Sequence, residues 1–200
     1  MSTVRVVLIF LGVCLASTSC SAGQVHERFE GWCDKLQTES PSDLVQFLSG
    51  AVPDENNARC VTWAIHRLGE ERYEPAIATL VKFLGFRQPQ TEMEKLYHGL
   101  EIPFPARVAL EEMGKKALPD VLLAIEADST SSTARDNAVA VWIEIYKYER
   151  PKGIAALKQE EIKADNAAIK GRLASAIRKA LPYCSVQDEA ACREAAQEDP

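Results

Sequence analysis

The stretch PARVALEEMGKKALPDVLLAIEA, residues 105–127, decides the fold, because it contains two short amphipathic helices with a glycine between them. In each half, apolar residues recur at i, i+3, i+4 and i+7, the spacing that gathers them along one side of a helix. These residues are Ala106, Ala109, Leu110 and Met113, then Leu118, Val121, Leu122 and Ile125. Gly114 can take the left-handed conformation that ends a helix, and Pro119 suits the first turn of the next. The stretch therefore predicts a helical hairpin.

The same apolar template recurs along the chain, and two helices alone cannot hide their apolar faces from water. Other copies begin at Phe29, Leu44, Val61, Ile77, Ala138 and Leu173, and a weaker one surrounds Ile154 and Leu157. The first helices of successive hairpins begin at residues 29, 61, 106, 138 and 173, in steps of 32, 45, 32 and 35 residues. These steps are close to the periods of helical-hairpin repeats, which are about 33–47 residues. We predict an all-α, right-handed solenoid of helical hairpins; an irregular helical bundle with coincidental spacing is the alternative.

Three segments share a further pattern, in which an Arg near the start of the first helix precedes small residues and a Leu-Gly ending, and a Pro opens the second helix. ARVALEEMG with ALPDVLLAI at 106–125 carries it most fully, WAIHRLG at 63–69 with EPAIATLVKFLG at 74–85 less so, and ARDNAVAVWIEI with RPKGIAAL lacks the Gly. With these motifs, over roughly residues 57–181, the chain resembles the HEAT-like repeats, including the short form found in phycobilisome lyases. The resemblance implies a HEAT-like or armadillo-type superhelix and says little about activity.

The resemblance also implies a role for three arginines. Arg59, Arg107 and Arg135 each follow an alanine close to the start of a first helix. In HEAT-like proteins such arginines commonly tie neighbouring repeats together through carboxylates, and the candidates here are Asp120, Asp136 and Asp165.

Composition bounds the class of protein and its partners. The 200 residues are 46% hydrophobic and 26% charged, which is ordinary for a globular chain with one sizeable core. The net charge is −6, whereas nucleic-acid binding needs a concentrated basic surface. The densest group of cations, Lys147 to Lys152, is interrupted by Glu149. We therefore expect no nucleic-acid partner.

The first 22 residues read as a signal peptide, with Arg5 before an apolar run and small residues up to Ala22. In the alternative, a lipoprotein signal, Cys20 is acylated, although Ser17 stands where a Leu is expected. We expect an exported protein, periplasmic or secreted, that touches a membrane only if Cys20 is lipidated. Residues 23–200 then form a single helical-repeat domain with a capping hairpin at 24–52, repeats at 54–181 and an acidic C-terminal tail at 183–200, for which one weak helix is predicted.

Outside the leader four cysteines remain, an even number in an oxidising compartment. We favour a disulfide between Cys184 and Cys192, because Pro182 stops the last long helix and a bridge would tie the terminal segment back to it. A disulfide between Cys33 and Cys60 would join the first two hairpins. Cys33 lies on an apolar face, so a buried free thiol is the alternative there.

The segment FRQPQTEMEKLYHGLEIPF, residues 86–104, breaks the repeat period and is called the insertion below. Long loops in compact folds are often functional. We predict that the insertion supplies contacts to a protein or peptide partner of the cell envelope; in the alternative it only shields a gap between two hairpins. The predicted binding residues are Phe86, Arg87, Tyr97, His98 and Phe104.

Patterns that carry chemistry are missing from the sequence. There is no G-x-S-x-G elbow, no phosphate-binding glycine loop and no dinucleotide fingerprint. His26 and His66 stand seven and six residues from Cys33 and Cys60, without the short ligand spacing of zinc sites. We therefore predict no metal, no cofactor and no catalytic residue. The function predicted is an exported, non-enzymatic protein-binding or scaffold module; the alternative is an enzyme or cofactor-handling protein related to the HEAT-like bilin lyases.

Overall fold

The computed structural model describes residues 33–89 and 103–197, and all regular structure in these two ranges is helical. One helical turn at Asp34–Gln37 precedes the longer helices. These are α1 (Pro41–Gly50), α2 (Ala58–Glu70), α3 (Ile77–Lys82), α4 (Pro105–Met113), α5 (Leu118–Glu126), α6 (Ser132–Ile145), α7 (Arg150–Lys163), α8 (Ala167–Ala180) and α9 (Glu189–Gln197). Short 3₁₀ segments occupy Glu74–Ala76, Gly114–Ala117 and Leu181–Tyr183. The predicted signal peptide, Cys20 and the helix around Phe29 lie outside the described residues.

Local sequence explains where the helices begin and end. The Ser40 side chain accepts a hydrogen bond from the Asp43 amide at 3.4 Å, and the Asp43 carboxylate accepts one from the Ser40 amide at 3.2 Å, so two otherwise unpaired donors of α1 are satisfied. Gly114 has a φ of 62°, which a residue with a side chain adopts at a cost, and α4 ends there as predicted. Asn166 caps α8 by accepting from the Ala168 amide at 2.7 Å.

The described helices pack against one another. Contacts join α2 with α4, α4 with α6 and α6 with α8. Of the remaining helices, α3 contacts α5, and α7 contacts α9. Of the described first-helix template positions, Leu36 and Ile145 are partly buried. The others are buried with at most 6% exposure, namely Cys33, Val61, Ala64, Ile65, Leu68, Ala106, Ala109, Leu110, Met113, Ala138, Val141, Trp142, Leu173, Ala176, Ile177 and Ala180. One hydrophobic core therefore runs through the described helices.

Two helices approach almost to backbone contact where α2 crosses α4. A Cβ atom added to Gly69 would lie 2.7 Å from both the Cα and the Cβ of Ala109. The absent side chain at residue 69 is thus what allows α2 and α4 to pack so closely.

Two buried polar side chains connect α6 to its neighbours. The Asn137 amide nitrogen donates to the Leu84 carbonyl at 2.7 Å, and the Trp142 indole nitrogen donates to the Gly153 carbonyl at 2.8 Å. Leu84 lies between α3 and the insertion, and Gly153 lies in the first turns of α7. Because an unpaired buried carbonyl is costly, both bonds specify how α6 sits in the stack.

The predicted ties between arginines and aspartates of neighbouring repeats are wrong for Arg107 and Arg135. Arg107 pairs with Glu111 of its own helix at 2.7 Å. Arg135 donates to backbone carbonyls at the end of α5 and in the following loop, namely Ile125 at 3.1 Å, Ala127 at 2.8 Å and Thr130 at 2.9 Å. A helix leaves its last carbonyls unpaired, so a guanidinium with several donors is a good partner for them.

Arg172, which the sequence analysis did not single out, makes the contact between hairpins that was expected of the other arginines. Its Nε donates to the Glu126 carbonyl at 2.6 Å, and its Nη1 lies 3.1 Å from the Asp128 carboxylate. Arg172 therefore connects α8 to the C-terminal end of α5.

Two disulfides join the ends of the described chain to its core. The N-terminal disulfide links Cys33 to Cys60, and the C-terminal disulfide links Cys184 to Cys192. Residues 189–197 of the predicted acidic tail form α9, which packs against α7 and buries Cys192 and Ala195. The tail thus contributes one helix and two buried side chains to the fold.

Candidate functional site

The insertion leaves and rejoins the helical stack at one point. The Gln88 amide donates to the Pro103 carbonyl at 2.8 Å, so the two ends of the segment between them are held together. We call this pair of residues, Gln88 and Pro103, the neck of the insertion. The hydrogen bond from Asn137 to Leu84 holds the chain just before the neck against α6. Residues 90–102 lie outside the described part of the chain, and with them two of the predicted binding residues, Tyr97 and His98.

The three other predicted binding residues surround the neck. Phe86 is half-buried and packs edge-on against Phe83, with ring centroids 6.2 Å apart and an interplanar angle of 88°. Phe104 is half-buried and directly precedes α4. Arg87 is exposed. Phe86 therefore anchors the neck on the core, whereas Arg87 is presented on the surface.

A second candidate site is an open cavity of about 750 Å³ between α7, α8 and α9. Ile177, Leu181 and Ala196 contribute apolar walls, together with the C-terminal disulfide. Two ion pairs also line it, Lys158 with Glu161 at 3.2 Å and Arg193 with Glu189 at 2.6 Å. Because its walls come from segments far apart in the sequence, no local motif could have predicted it.

A smaller cavity of about 570 Å³ lies beside the first, between α6 and the end of α8. Val139, Ala140 and Tyr183 contribute apolar surface, and Lys179 forms an ion pair with Asp136 at its wall. Both cavities are lined by Arg178 and Pro182. The two cavities are therefore adjacent along the last turn of α8 and the residues that follow it.

A carboxyl group with a raised pKa lies elsewhere, between α4 and α6. Burial raises the pKa of the Glu111 carboxyl above its ordinary value, although the hydrogen bond from Arg107 and the charge of that guanidinium act in the opposite direction. Glu144 contributes to the rise and Lys147 opposes it. Glu111 lines neither of the two cavities described above, and its ion pair joins residues one turn apart on α4.

In residues 33–89 and 103–197 no group of three or more His, Cys, Asp or Glu side chains could hold a metal ion. Cys33 and Cys60, considered above as zinc ligands, are joined to each other. Among the helices of these ranges, none has the length and apolar character needed to cross a bilayer.

Comparisons of this chain with protein-family models, with curated proteins and with solved structures give no match.

Proposed function

We propose that this chain is an exported, non-enzymatic protein-binding module whose hairpins stack as a right-handed, HEAT-like solenoid. The contacts from α2 to α4, from α4 to α6 and from α6 to α8 support the stacked arrangement, because each first helix contacts the next one along the chain. The disulfides support export, since such bonds persist in oxidising compartments.

The closed neck of the insertion is the observation that carries the binding proposal. A hydrogen bond between Gln88 and Pro103 holds the two ends of the intervening segment together on a helical base. Insertions whose two ends are held close together by a scaffold often carry function, because the scaffold positions them while their sequence is free to vary. Arg87 at the neck, with Tyr97 and His98 within the loop, provides a cation, an aromatic ring and an imidazole for contacts with a protein or peptide of the cell envelope.

The experiment is a crosslinking pull-down from native envelope extract with three forms of the protein. One form is intact, one replaces residues 90–102 by a Gly-Ser linker of equal length, and one keeps the same residues in scrambled order. All three retain Gln88, Pro103 and the half-buried Phe104, so the neck and the start of α4 are unchanged. We expect a discrete partner to be captured by the intact form alone, with similar unfolding temperatures for all three.

Other results would identify another role. Equal capture by the three forms would remove the insertion as the binding site. Loss of folding in both altered forms would support the alternative that the insertion shields a gap in the stack. A bound chromophore in the purified protein would favour the cofactor-handling alternative instead.

A further inference from the structure

Two neighbouring cavities lie at the C-terminal end of α8, and together we call them the α8 groove. It combines volumes of about 750 and 570 Å³ that share Arg178 and Pro182. Each volume alone falls within the range of about 300–1,000 Å³ typical of sites that bind small molecules or side chains. The groove is thus large enough for several residues of an extended peptide.

The charges along the α8 groove are balanced except at one position. Three of its cations have a carboxylate partner: Lys158 with Glu161, Arg193 with Glu189, and Lys179 with Asp136. Arg178, which lies between the two cavities, is exposed and has no hydrogen bond or ion pair with any residue of 33–89 or 103–197. A guanidinium matches the planar geometry of a carboxylate and can bind it through two parallel hydrogen bonds.

The surroundings of Arg178 limit which anion fits. Accessible apolar surface lies on one side of it at Leu181 and on the other side at Tyr183, whereas Ile177 and Val139 are almost fully buried. Because three of the four cations are neutralised by carboxylates, the groove has only one unbalanced positive charge, which suits a single carboxylate rather than a polyanion such as nucleic acid or an anionic membrane. A single carboxylate flanked by apolar side chains matches both the charge and the apolar walls.

We propose that the α8 groove binds an acidic peptide segment of a partner protein, in which one Asp or Glu flanked by apolar residues pairs with Arg178. This inference rests on the proposed function in so far as the partner is a protein, but it assigns a second contact surface away from the insertion. The C-terminal disulfide holds the α9 wall of the groove, because Cys184 and Cys192 both line the larger cavity.

The experiment uses the whole oxidised protein and two fluorescein-labelled nine-residue peptides, followed by fluorescence anisotropy. One peptide carries a single Glu between two Leu residues, and the other has Gln in its place. The protein is tested unaltered, as Arg178→Gln, and as Lys170→Gln, a control that removes an exposed cation of the same helix outside both cavities. Arg178→Gln is expected to weaken binding of the Glu peptide about 10-fold or more, as loss of a charge-assisted hydrogen bond implies. Lys170→Gln should leave it unchanged, and the unaltered protein should bind the Gln peptide as weakly as Arg178→Gln binds the Glu peptide.

Several results would overturn the inference. One is no binding of the Glu peptide at protein concentrations up to about 1 mM. Another is equal affinity for the two peptides. A third is an equal loss of affinity for the Glu peptide in Arg178→Gln and Lys170→Gln. Binding that appears only after residues 198–200 are removed would also overturn it, and would assign the groove to the acidic residues Glu198 and Asp199 of the chain itself. The insertion is intact in every form used here, so failure of this test is distinguishable from failure of the pull-down, in which the groove is intact.

Discussion

The close approach of α2 and α4 makes the stability of the fold sensitive to a single methyl group. In Gly69→Ala the new Cβ would lie 2.7 Å from the Cα and Cβ of Ala109, whereas carbon atoms prefer a separation of about 3.5–4.0 Å. The Cα and Cβ atoms of Ala109 are fixed to the backbone of a packed helix and cannot rotate away, so the two helices must move apart. Overpacking of this kind costs about 1–3 kcal/mol.

Helix propensity acts in the opposite direction and can be measured separately in the same chain. Replacing Gly by Ala within a helix stabilises it by about 0.5–1 kcal/mol. Gly171 on α8 is exposed, and a Cβ added there meets no atom within 4 Å, so Gly171→Ala isolates this gain. With an overpacking cost near the upper end of its range, Gly69→Ala should be less stable than the unaltered protein by about 2 kcal/mol, and less stable than Gly171→Ala by about 3 kcal/mol.

Urea unfolding followed by far-ultraviolet circular dichroism, with the disulfides oxidised, measures both variants. Thermal unfolding gives a second measure. For a chain of this size, about 1 kcal/mol shifts the unfolding temperature by about 2–4 °C, so the unfolding temperatures of the two variants should differ by about 6–12 °C. An unchanged dependence of the unfolding free energy on urea concentration would show that the variants expose the same amount of surface on unfolding. If Gly69→Ala proved as stable as Gly171→Ala, α2 and α4 would not pack as closely as described, and the reasoning would fail.

Three further predictions concern the disulfides, a buried amide and a buried carboxyl. The N-terminal disulfide spans 27 residues and the C-terminal disulfide 8. Double Cys→Ala substitution should therefore lower the unfolding free energy by about 3.5 kcal/mol at the first and about 2.5 kcal/mol at the second. A larger loss at the C-terminal disulfide would contradict the loop-length argument. Asn137→Leu leaves the buried Leu84 carbonyl without its donor and should cost about 1–3 kcal/mol in urea unfolding, whereas no loss would show that the bond is dispensable. Because its pKa is raised, the Glu111 carboxyl holds a proton more tightly in the folded protein than in the unfolded protein. Its contribution to stability is therefore full below the ordinary pKa of 4.5 and is lost as pH rises through the higher pKa of the folded state. The stability of the unaltered protein relative to Glu111→Gln should therefore fall as pH rises from 4.5, and an increase over that interval would refute the assigned direction.

The helical elements could be predicted from the sequence because their causes are local. An apolar residue every three or four positions predicts which side of a helix is buried, and the template positions of α2, α4 and α8 are buried as predicted. Gly114 ends α4 through its own positive φ, and Pro41 suits the first position of α1 because its φ is fixed and it lacks an N–H, so both mark helix ends without knowledge of the rest of the fold.

Only the tertiary structure decided which distant side chains meet. Arg135 stands at the position expected for a tie to a carboxylate, yet it binds carbonyls at the end of α5, because the packing of α5 against α6 brings those acceptors within reach. The α8 groove depends on segments between residues 136 and 197, and no spacing in the sequence shows that their ion pairs leave Arg178 without a partner among the described residues. Periodicity along a chain reports which side of each helix avoids water; the partners of a polar side chain depend on how those helices are arranged in space.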